Sequence, residues 1–563
     1  MKLFLAEARR PLWPRLRVPH ASNPHTRNLT STTRRWQQDQ DHNSSSTSDL
    51  FNYTSGRWIH DEHLRRSQRR RPFNVAELKR LAAAAINAPA TAVASLQKLG
   101  EGGFNRTFLV TMRDGFQLVA RIPYPVTEPK YLLVASEVAT IEYLRRRGFP
   151  VPRIYGYSAT ADNAVGTEYI FMECAAGRRL TDRWFDLSEQ ELAGVVDRVV
   201  ELEARLFALD FPASGSLFFE RDLQCMETVR VADEAGAVGE GPICIGPEVT
   251  RALWLGKRRI LPVHRGPYTS PLDVLAAGAR KEIAYLEEYG QPVRASKLLP
   301  ANRSYKQSPR DHVNNLSDYL RVAPYLVPSD ASLTRHTIRH PDLQPSNIFV
   351  NEDLEITGLI DWQYSTICPL FLQCGVPTNF QSADGDIPSL LQEPRLPEGL
   401  DRLSEADQRC ERELFRSRWL HYCYLTATAK LNPSHQAALT GDLGVLRRRL
   451  CHQAAVPWDG DNVTLKADLI QLTMNWDRLV RSEDADASAC PIAYSQDEVN
   501  KCLQLNTAQV ELNEQERLSR EVLGVGSEGW VAAERYENVK ACEEVLKVDE
   551  MSVVDTGKES ILG

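Results

Sequence analysis

At 563 residues, 42% hydrophobic and 25% charged, the chain is long enough to fold as two or three lobes around a sizeable core. A net charge of −7 argues against a nucleic-acid binder, and no apolar run reaches the roughly 18 residues of a membrane span. Eleven cysteines, without a Cys-x-x-Cys pair or a Cys/His cluster, suggest neither zinc nor a disulfide framework and fit a reducing interior.

Residues 1–48 differ from the rest of the chain. Before Asp39 the one acid is Glu7, against Lys2, Arg9, Arg10, Arg15, Arg17, Arg27, Arg34 and Arg35. Arginine-rich, hydroxyl-rich and acid-poor is the composition of a mitochondrial presequence, predicted disordered here; a basic tail with no address is the alternative. An N-terminal extension over 49–95 opens on the aromatic-rich Leu50–Trp58. The basic run Arg65–Arg71 reads as a solvated helix face. Leu81–Leu96, Ala-rich but interrupted by Asn87 and Pro89, reads as a surface-packed helix and its exit.

From Leu96 to Ala120 the pattern is strand, glycine turn, strand, hairpin, strand. Gly100, Gly102 and Gly103 form the turn, where backbone N–H groups can approach phosphate oxygens closely. A plain hairpin gives the same pattern. Asn105 comes next, a residue tolerant of positive φ. Asp114-Gly115 between Phe108–Met112 and Gln117–Ile122 is a strong hairpin signal. Pro129–Arg147 has the marks of a helix, with Pro at its start and Gly148 past its end. Setting Leu133 at zero and turning about 100° per residue, Leu144 falls near 20°, Glu137 near 40° and Ile141 near 80°, while Glu142 falls near 180°. Glu137 therefore lies in the apolar stripe and wants a cationic partner; Glu142 reads as solvated. Tyr169–Met172 is a further strand, and Glu173–Gly177 connects the two lobes.

Leu187–Leu209 has helical periodicity and opens the larger lobe. Residues 218–300 read as an insertion contributing to an acceptor pocket, and Leu316–Leu326 as a helix. Then come Arg339-His-Pro-Asp-Leu-Gln-Pro-Ser-Asn-Ile-Phe-Val350, a polar turn, and Glu355-Ile-Thr-Gly-Leu-Ile-Asp-Trp362. Ile348–Val350 and Ile356–Ile360 read as a hairpin. Its geometry sets Asn347, just before the first strand, beside Asp361, just after the second. These are two oxygen donors suited to a hard cation such as Mg²⁺. Asp342, on the preceding loop, is placed to orient a hydroxyl that attacks phosphorus. Glu411–Lys430 carries Phe415, Trp419, Tyr422 and Tyr424 at core-facing spacings, helices continue to about Val480, and a charged, helical tail occupies 491–563, with a polar end expected to fray.

His340-Pro-Asp342, Asn347 and Ile360-Asp361-Trp362 at these spacings resemble the motifs of the aminoglycoside phosphotransferase family. Tyr53-Thr-Ser-Gly-Arg-Trp58 is similar to the opening of its fungal mitochondrial members. The resemblance implies an α+β, protein-kinase-like fold with a small β-rich lobe (96–173) and a larger helical lobe (174–490). It implies that Val119-Ala-Arg121-Ile122 occupies the place where a Lys grips nucleotide phosphates, which makes Arg121 the candidate partner of Glu137, and that Glu173 and Cys174 offer backbone hydrogen bonds to adenine. His340 becomes a structural tie between the loop and the metal-binding strand. Arg121 replaces the family's Lys, Asn105 its third glycine and Gln344 a usual His, and no further acidic motif comes after Trp362. The function implied is an ATP- and Mg-dependent phosphotransferase acting on a hydroxyl of a small-molecule acceptor in mitochondria. A catalytically weak or inactive nucleotide-binding pseudokinase with a regulatory or scaffold role is the alternative. Nothing indicates a protein partner, and the sequence does not name the acceptor.

Overall fold

The computed structural model describes residues 47–232, 241–294, 306–382, 392–482, 489–526 and 528–543. The presequence reading, apart from residues 47–48, and the fraying of the last twenty residues lie outside them. The chain adopts the expected α+β, two-lobed, protein-kinase-like arrangement.

In chain order come strand β1 (Gly56–Trp58) in the N-terminal extension and, in the smaller lobe, β2 (Val93–Glu101), β3 (Asn105–Met112), β4 (Gln117–Pro123), β5 (Ile154–Ser158) and β6 (Tyr169–Glu173). Five of them form an antiparallel sheet in the order β2-β3-β4-β6-β5, and Gly115 at φ +89° makes the Asp114-Gly115 turn. Both faces of the sheet are covered, each by the side chains that the two-residue period of a strand sends to it. Phe108, Val110, Leu118, Ala120, Ile122 and Phe171 pack beneath the helix Val75–Ala84 through Leu78 and Ala82. Val119, Ile170 and Met172 face the other way, onto Leu133, Ile141 and Leu144 of the helix Lys130–Arg146. Each of the larger aliphatic and aromatic side chains among them, fully buried, contributes about 1.5–3 kcal/mol. The same alternation sends Arg121 to the face of Val119, against the helix that carries Glu137.

Four expectations are corrected. Glu142 is buried rather than solvated, and it accepts from Arg145 at 3.0 and 3.1 Å and from Arg146 at 3.2 Å. The reason is tertiary: the larger lobe's strand Ser216–Phe219 packs against this helix, so the face that rotation marks as outer is enclosed. The basic run is not simply a solvated face. Arg69 is buried over the Trp58 ring and reaches Glu528, and Arg71 pairs with the buried Glu168. Asn105 begins β3 with no positive φ, so its place owes nothing to that tolerance. The tail is helical over Gln496–Leu523 but then returns as a strand, Trp530–Ala532, antiparallel to β1.

The larger lobe is built on long helices with recognisable ends. Glu189–Phe207 starts at a Ser188/Glu191 capping box and lies along Glu405–Leu431, whose Tyr424 is buried and stacks on Phe380 at 5.4 Å. A second core joins Pro271–Tyr289, Pro309–Val322, Gly444–Ala455 and Thr464–Met474. Within the described part of 218–300, Val229–Arg230 and Ile243–Gly246 pair with Ser216–Phe219 as a small sheet.

His312, in that second core, is buried with neither ring nitrogen hydrogen-bonded. Burial pushes its pKa from 6.5 down to about 4. Folded, it stays neutral where the unfolded chain takes up a proton. Stability is therefore present above about pH 6.5 and drains away as pH falls toward 4. His312→Phe is expected to hold or raise stability at pH 7. It should also shrink the loss between pH 7 and 5 by roughly 2 kcal/mol, read by urea unfolding at the two pH values.

Candidate active site

The hairpin of Ile348–Val350 and Ile356–Leu359 sits at the base of the cleft, with Ile348 opposite Leu359. Ile360 N–H donates to the Asn347 carbonyl at 3.0 Å, so the residues flanking the hairpin meet side by side. Asn347 is buried, and its Nδ2 donates to the Asp342 carbonyl at 2.8 Å and to Asp342 Oδ2 at 3.1 Å. That leaves Asn347 Oδ1 without a donor among the described residues. Gln344 Nε2 also donates to Asp342 Oδ2, at 2.5 Å. Asp342 itself is exposed, and among the described residues no donor reaches its Oδ1. The loop thus fixes one carboxylate oxygen and leaves the other free to accept a proton.

His340 fastens this loop from beneath. It is buried, its Nε2 lies 2.9 Å from the Ile360 carbonyl, and its Nδ1 accepts from Asp342 N–H at 3.1 Å. That pairing sets the tautomer with the proton on Nε2. Burial pushes its pKa down to about 4, so it holds shape as a neutral ring. Its ring meets Trp362 edge-on at 4.6 Å. Trp362 is fully buried and donates to the Leu359 carbonyl at 3.1 Å.

Opposite stands Arg121. Its guanidinium pairs with Glu137 Oε1 and also reaches Asp361 Oδ1 at 2.6 Å and Gln363 Oε1 at 3.0 Å. The partner inferred by helical arithmetic is therefore present, and a second one accompanies it. Burial pushes the Glu137 carboxyl up to about 7 against the pull of Arg121. Asp361 is also penalised by burial, but Arg121 outweighs this and holds its carboxyl below the ordinary 3.8. Asp361 is at φ +70°, in a left-handed conformation uncommon outside glycine. Asn105 Nδ2 donates to Gln363 Oε1 at 2.7 Å; with the carboxamide turned over, its oxygen instead accepts from Arg121 Nη2 at 2.6 Å and Nε at 3.1 Å.

Gly100 lies within β2, and Gly102 and Gly103 make the turn to β3. Gly102 N–H is spent on the Asn105 carbonyl at 2.9 Å, whereas the N–H groups of Gly103 and Phe104 donate to nothing among the described residues. A Cβ at Gly103 would meet no atom within 4 Å. Folding does not demand glycine there, so the open space is available to something outside the protein. At the connector, Glu173 N–H is already bonded to the Arg153 carbonyl at 2.8 Å, while Cys174 N–H has no partner among the described residues.

The connector then turns at Gly177, where φ is +91° and a Cβ would come within 2.3 Å of the Val350 carbonyl. This glycine lets the chain entering the larger lobe lie against the hairpin, where β7 (Arg178–Arg179) pairs with Phe349 and Val350. Gly177→Ala is expected to cost about 1–3 kcal/mol in thermal unfolding, from strain and collision together.

Three parts of the site escaped the sequence reading. Arg339 is held by Glu203 Oε1 at 2.7 Å, with Tyr424 donating to the other oxygen at 2.5 Å; its only local sign was adjacency to His340. Gln363 was signalled only by its place after Asp361-Trp362. Glu101 was signalled only by lying between two glycines of the turn.

The cleft therefore offers a carboxylate with one oxygen free, two oxygen donors at the hairpin's ends, a buried cation and a turn with free N–H groups. Residues 95–371, which contain all of these, match the phosphotransferase enzyme family. Over 503 residues the chain is 31% identical to a subtelomeric hrmA-associated cluster protein of Aspergillus fumigatus, covering 83% of this chain and 95% of that one. Over 442 residues it is 25% identical to altered inheritance of mitochondria protein 9, mitochondrial, of Kluyveromyces lactis, covering 73% and 69%. The structure is similar to that of the streptomycin–ATP–APH(2″)-IIa ternary complex, with TM-score 0.33, 11% identity, and 71% and 96% of the two chains covered. With its site-bearing stretch matched, and a fungal relative alike along nearly its entire length, the chain belongs to the phosphotransferase enzyme family.

Proposed function

We propose that the protein transfers the γ-phosphoryl group of ATP to a hydroxyl on a small molecule, in mitochondria. The observation that carries this reading is the meeting of Asp342, Asn347 and the end of the hairpin at Asp361 beneath a glycine turn with unspent N–H groups. The free Oδ1 of Asp342 takes the proton as the acceptor oxygen bonds to phosphorus, the bridging P–O bond breaks, and ADP leaves. Asn347 Oδ1 and Asp361 suit Mg²⁺. No three His, Cys, Asp or Glu side chains group as a metal site among the described residues, so phosphate and water would complete the shell, as is usual for this ion. Held there by Asn347 and Asp361, Mg²⁺ would supply positive charge that offsets the charge developing in transfer. Gly100, Gly102 and Gly103 cover the phosphates, Arg121 keeps Glu137 while turning toward them, and Glu173 and Cys174 receive adenine through the backbone. The name of the Kluyveromyces lactis relative and the leader's composition support the mitochondrial address.

The contact between Arg121 and Asp361 favours a second reading, a nucleotide-binding regulator without transfer, because a wide guanidinium fork occupies a metal-ligand oxygen. Labelled ATP, Mg²⁺ and a fractionated mitochondrial extract separate the two. A labelled small-molecule product is the expected result; nucleotide binding with no product in any fraction supports the regulator instead.

A further inference from the structure

The glycine turn is gripped from outside the cleft. Glu101 is the last residue of β2, and its carboxylate is fully buried. Oε2 accepts from Thr54 N–H at 2.8 Å, Thr54 Oγ1 at 3.2 Å, Ser55 N–H at 2.9 Å and Ser55 Oγ at 2.8 Å. Oε1 accepts from Arg106 Nε at 2.9 Å and lies 3.1 Å from Lys98 Nζ. One carboxylate therefore binds the N-terminal extension to both strands that flank Gly102 and Gly103.

The extension is itself braced. Tyr53 and Trp58 pack with Tyr124 in a small core of their own, Arg106 Nη1 donates to the Leu50 carbonyl at 3.0 Å, and β1 pairs with the C-terminal strand Trp530–Ala532. Trp530 Nε1 donates to Tyr53 OH at 3.0 Å, and a Cβ on Gly56 would strike the Trp530 indole at 2.3 Å. The two ends of the described chain thus meet behind the turn. A hairpin turn of glycines is intrinsically mobile, and here its root is tied by one ion to a platform that the two catalytic lobes do not supply.

We infer that Glu101 is a positioning residue: by holding the Thr54-Ser55 turn it sets the glycine turn where its N–H groups meet nucleotide phosphates. Glu101 touches no nucleotide itself and acts through Gly102 and Gly103. The inference rests on the nucleotide-binding function proposed for the cleft. It further states that the N-terminal extension, together with its C-terminal partner strand, belongs to the phosphate site.

Calorimetric titration of the full chain with Mg·ADP and, separately, with adenosine tests this. Adenosine has no phosphates, so a misplaced turn weakens the first ligand and spares the second. Glu101→Ala is expected to weaken Mg·ADP about tenfold or more while adenosine affinity stays within about twofold. Glu101→Gln keeps an acceptor for Thr54 and Ser55 but turns an amide N–H₂ toward Arg106 and Lys98, and should recover part of the loss. A Thr54→Val, Ser55→Ala double variant removes the hydroxyls from the other side and is expected to lose about fivefold in Mg·ADP alone; it also serves if Glu101→Ala fails to fold. Unchanged Mg·ADP affinity in Glu101→Ala, or in the double variant, overturns the inference, as does an equal loss for both ligands. A wild-type protein that binds neither ligand overturns the nucleotide reading as well.

Discussion

Asp342→Asn is expected to leave Mg·ATP affinity nearly unchanged and to cut phosphoryl transfer by about 10²–10⁴-fold. The substitution is nearly isosteric and spares the scaffold. An asparagine oxygen can still accept from Gln344 Nε2 and Asn347 Nδ2, which now fix Asp342 Oδ2. Its amide nitrogen then falls where the free Oδ1 stands and presents hydrogens where a proton has to be received. Binding and chemistry should therefore separate: titration with Mg·ATP reports the first, and single-turnover transfer to the product-forming extract fraction reports the second. Transfer at the wild-type rate would remove Asp342 from the mechanism.

A comparably large effect, on stability, is expected of Glu203→Ala. Glu203 is buried and Arg339 only slightly exposed, and their bond at 2.7 Å is completed by Tyr424 OH and by the carbonyls of Gln373 and Gly375. Two charges in such a place are tolerable only together. Removing the carboxylate strands the guanidinium and takes an acceptor from Tyr424, and losing one member of a buried pair costs about 3–5 kcal/mol. Because Arg339 precedes His340, the damage lies at the root of the Asp342 loop. Urea unfolding at pH 7 measures it, and a loss under about 1 kcal/mol would mean that Arg339 finds other partners. Glu203→Gln, whose amide oxygen can still accept from Arg339 while its N–H₂ faces a Tyr424 hydroxyl that can turn to accept, should lose less than Glu203→Ala.

What the sequence disclosed and what it withheld divide along a physical line. Local rules sufficed where spacing alone decides geometry. The Asp114-Gly115 turn, the hairpin after Asn347 and the buried face of Glu137 were legible from period and turn chemistry, because each depends on residues whose separation fixes their relative direction; that Arg121 is the partner of Glu137 came from the family resemblance. Glu142 misled for the complementary reason: rotation about a helix axis says which residues share a face, but not that Ser216–Phe219 will cover the opposite one. The grip of Glu101 on Thr54 and Ser55 and the return of Trp530–Ala532 to β1 were invisible, since no local pattern pairs residues nearly fifty or several hundred positions apart. Asn105 lay between. It begins β3 rather than sitting in the turn, and its side chain serves Gln363 and Arg121 rather than the backbone conformation that suggested it.

The decisive measurement is a crystal structure of the protein with a non-hydrolysable ATP analogue and Mn²⁺ in place of Mg²⁺, read by anomalous scattering. The expected result is an anomalous peak within bonding distance of Asn347 Oδ1 and an Asp361 carboxylate oxygen, shared with the analogue's phosphates beneath Gly102 and Gly103. Phosphates bound without a cation there, or a cation held elsewhere with Arg121 still closed on Asp361, would contradict it.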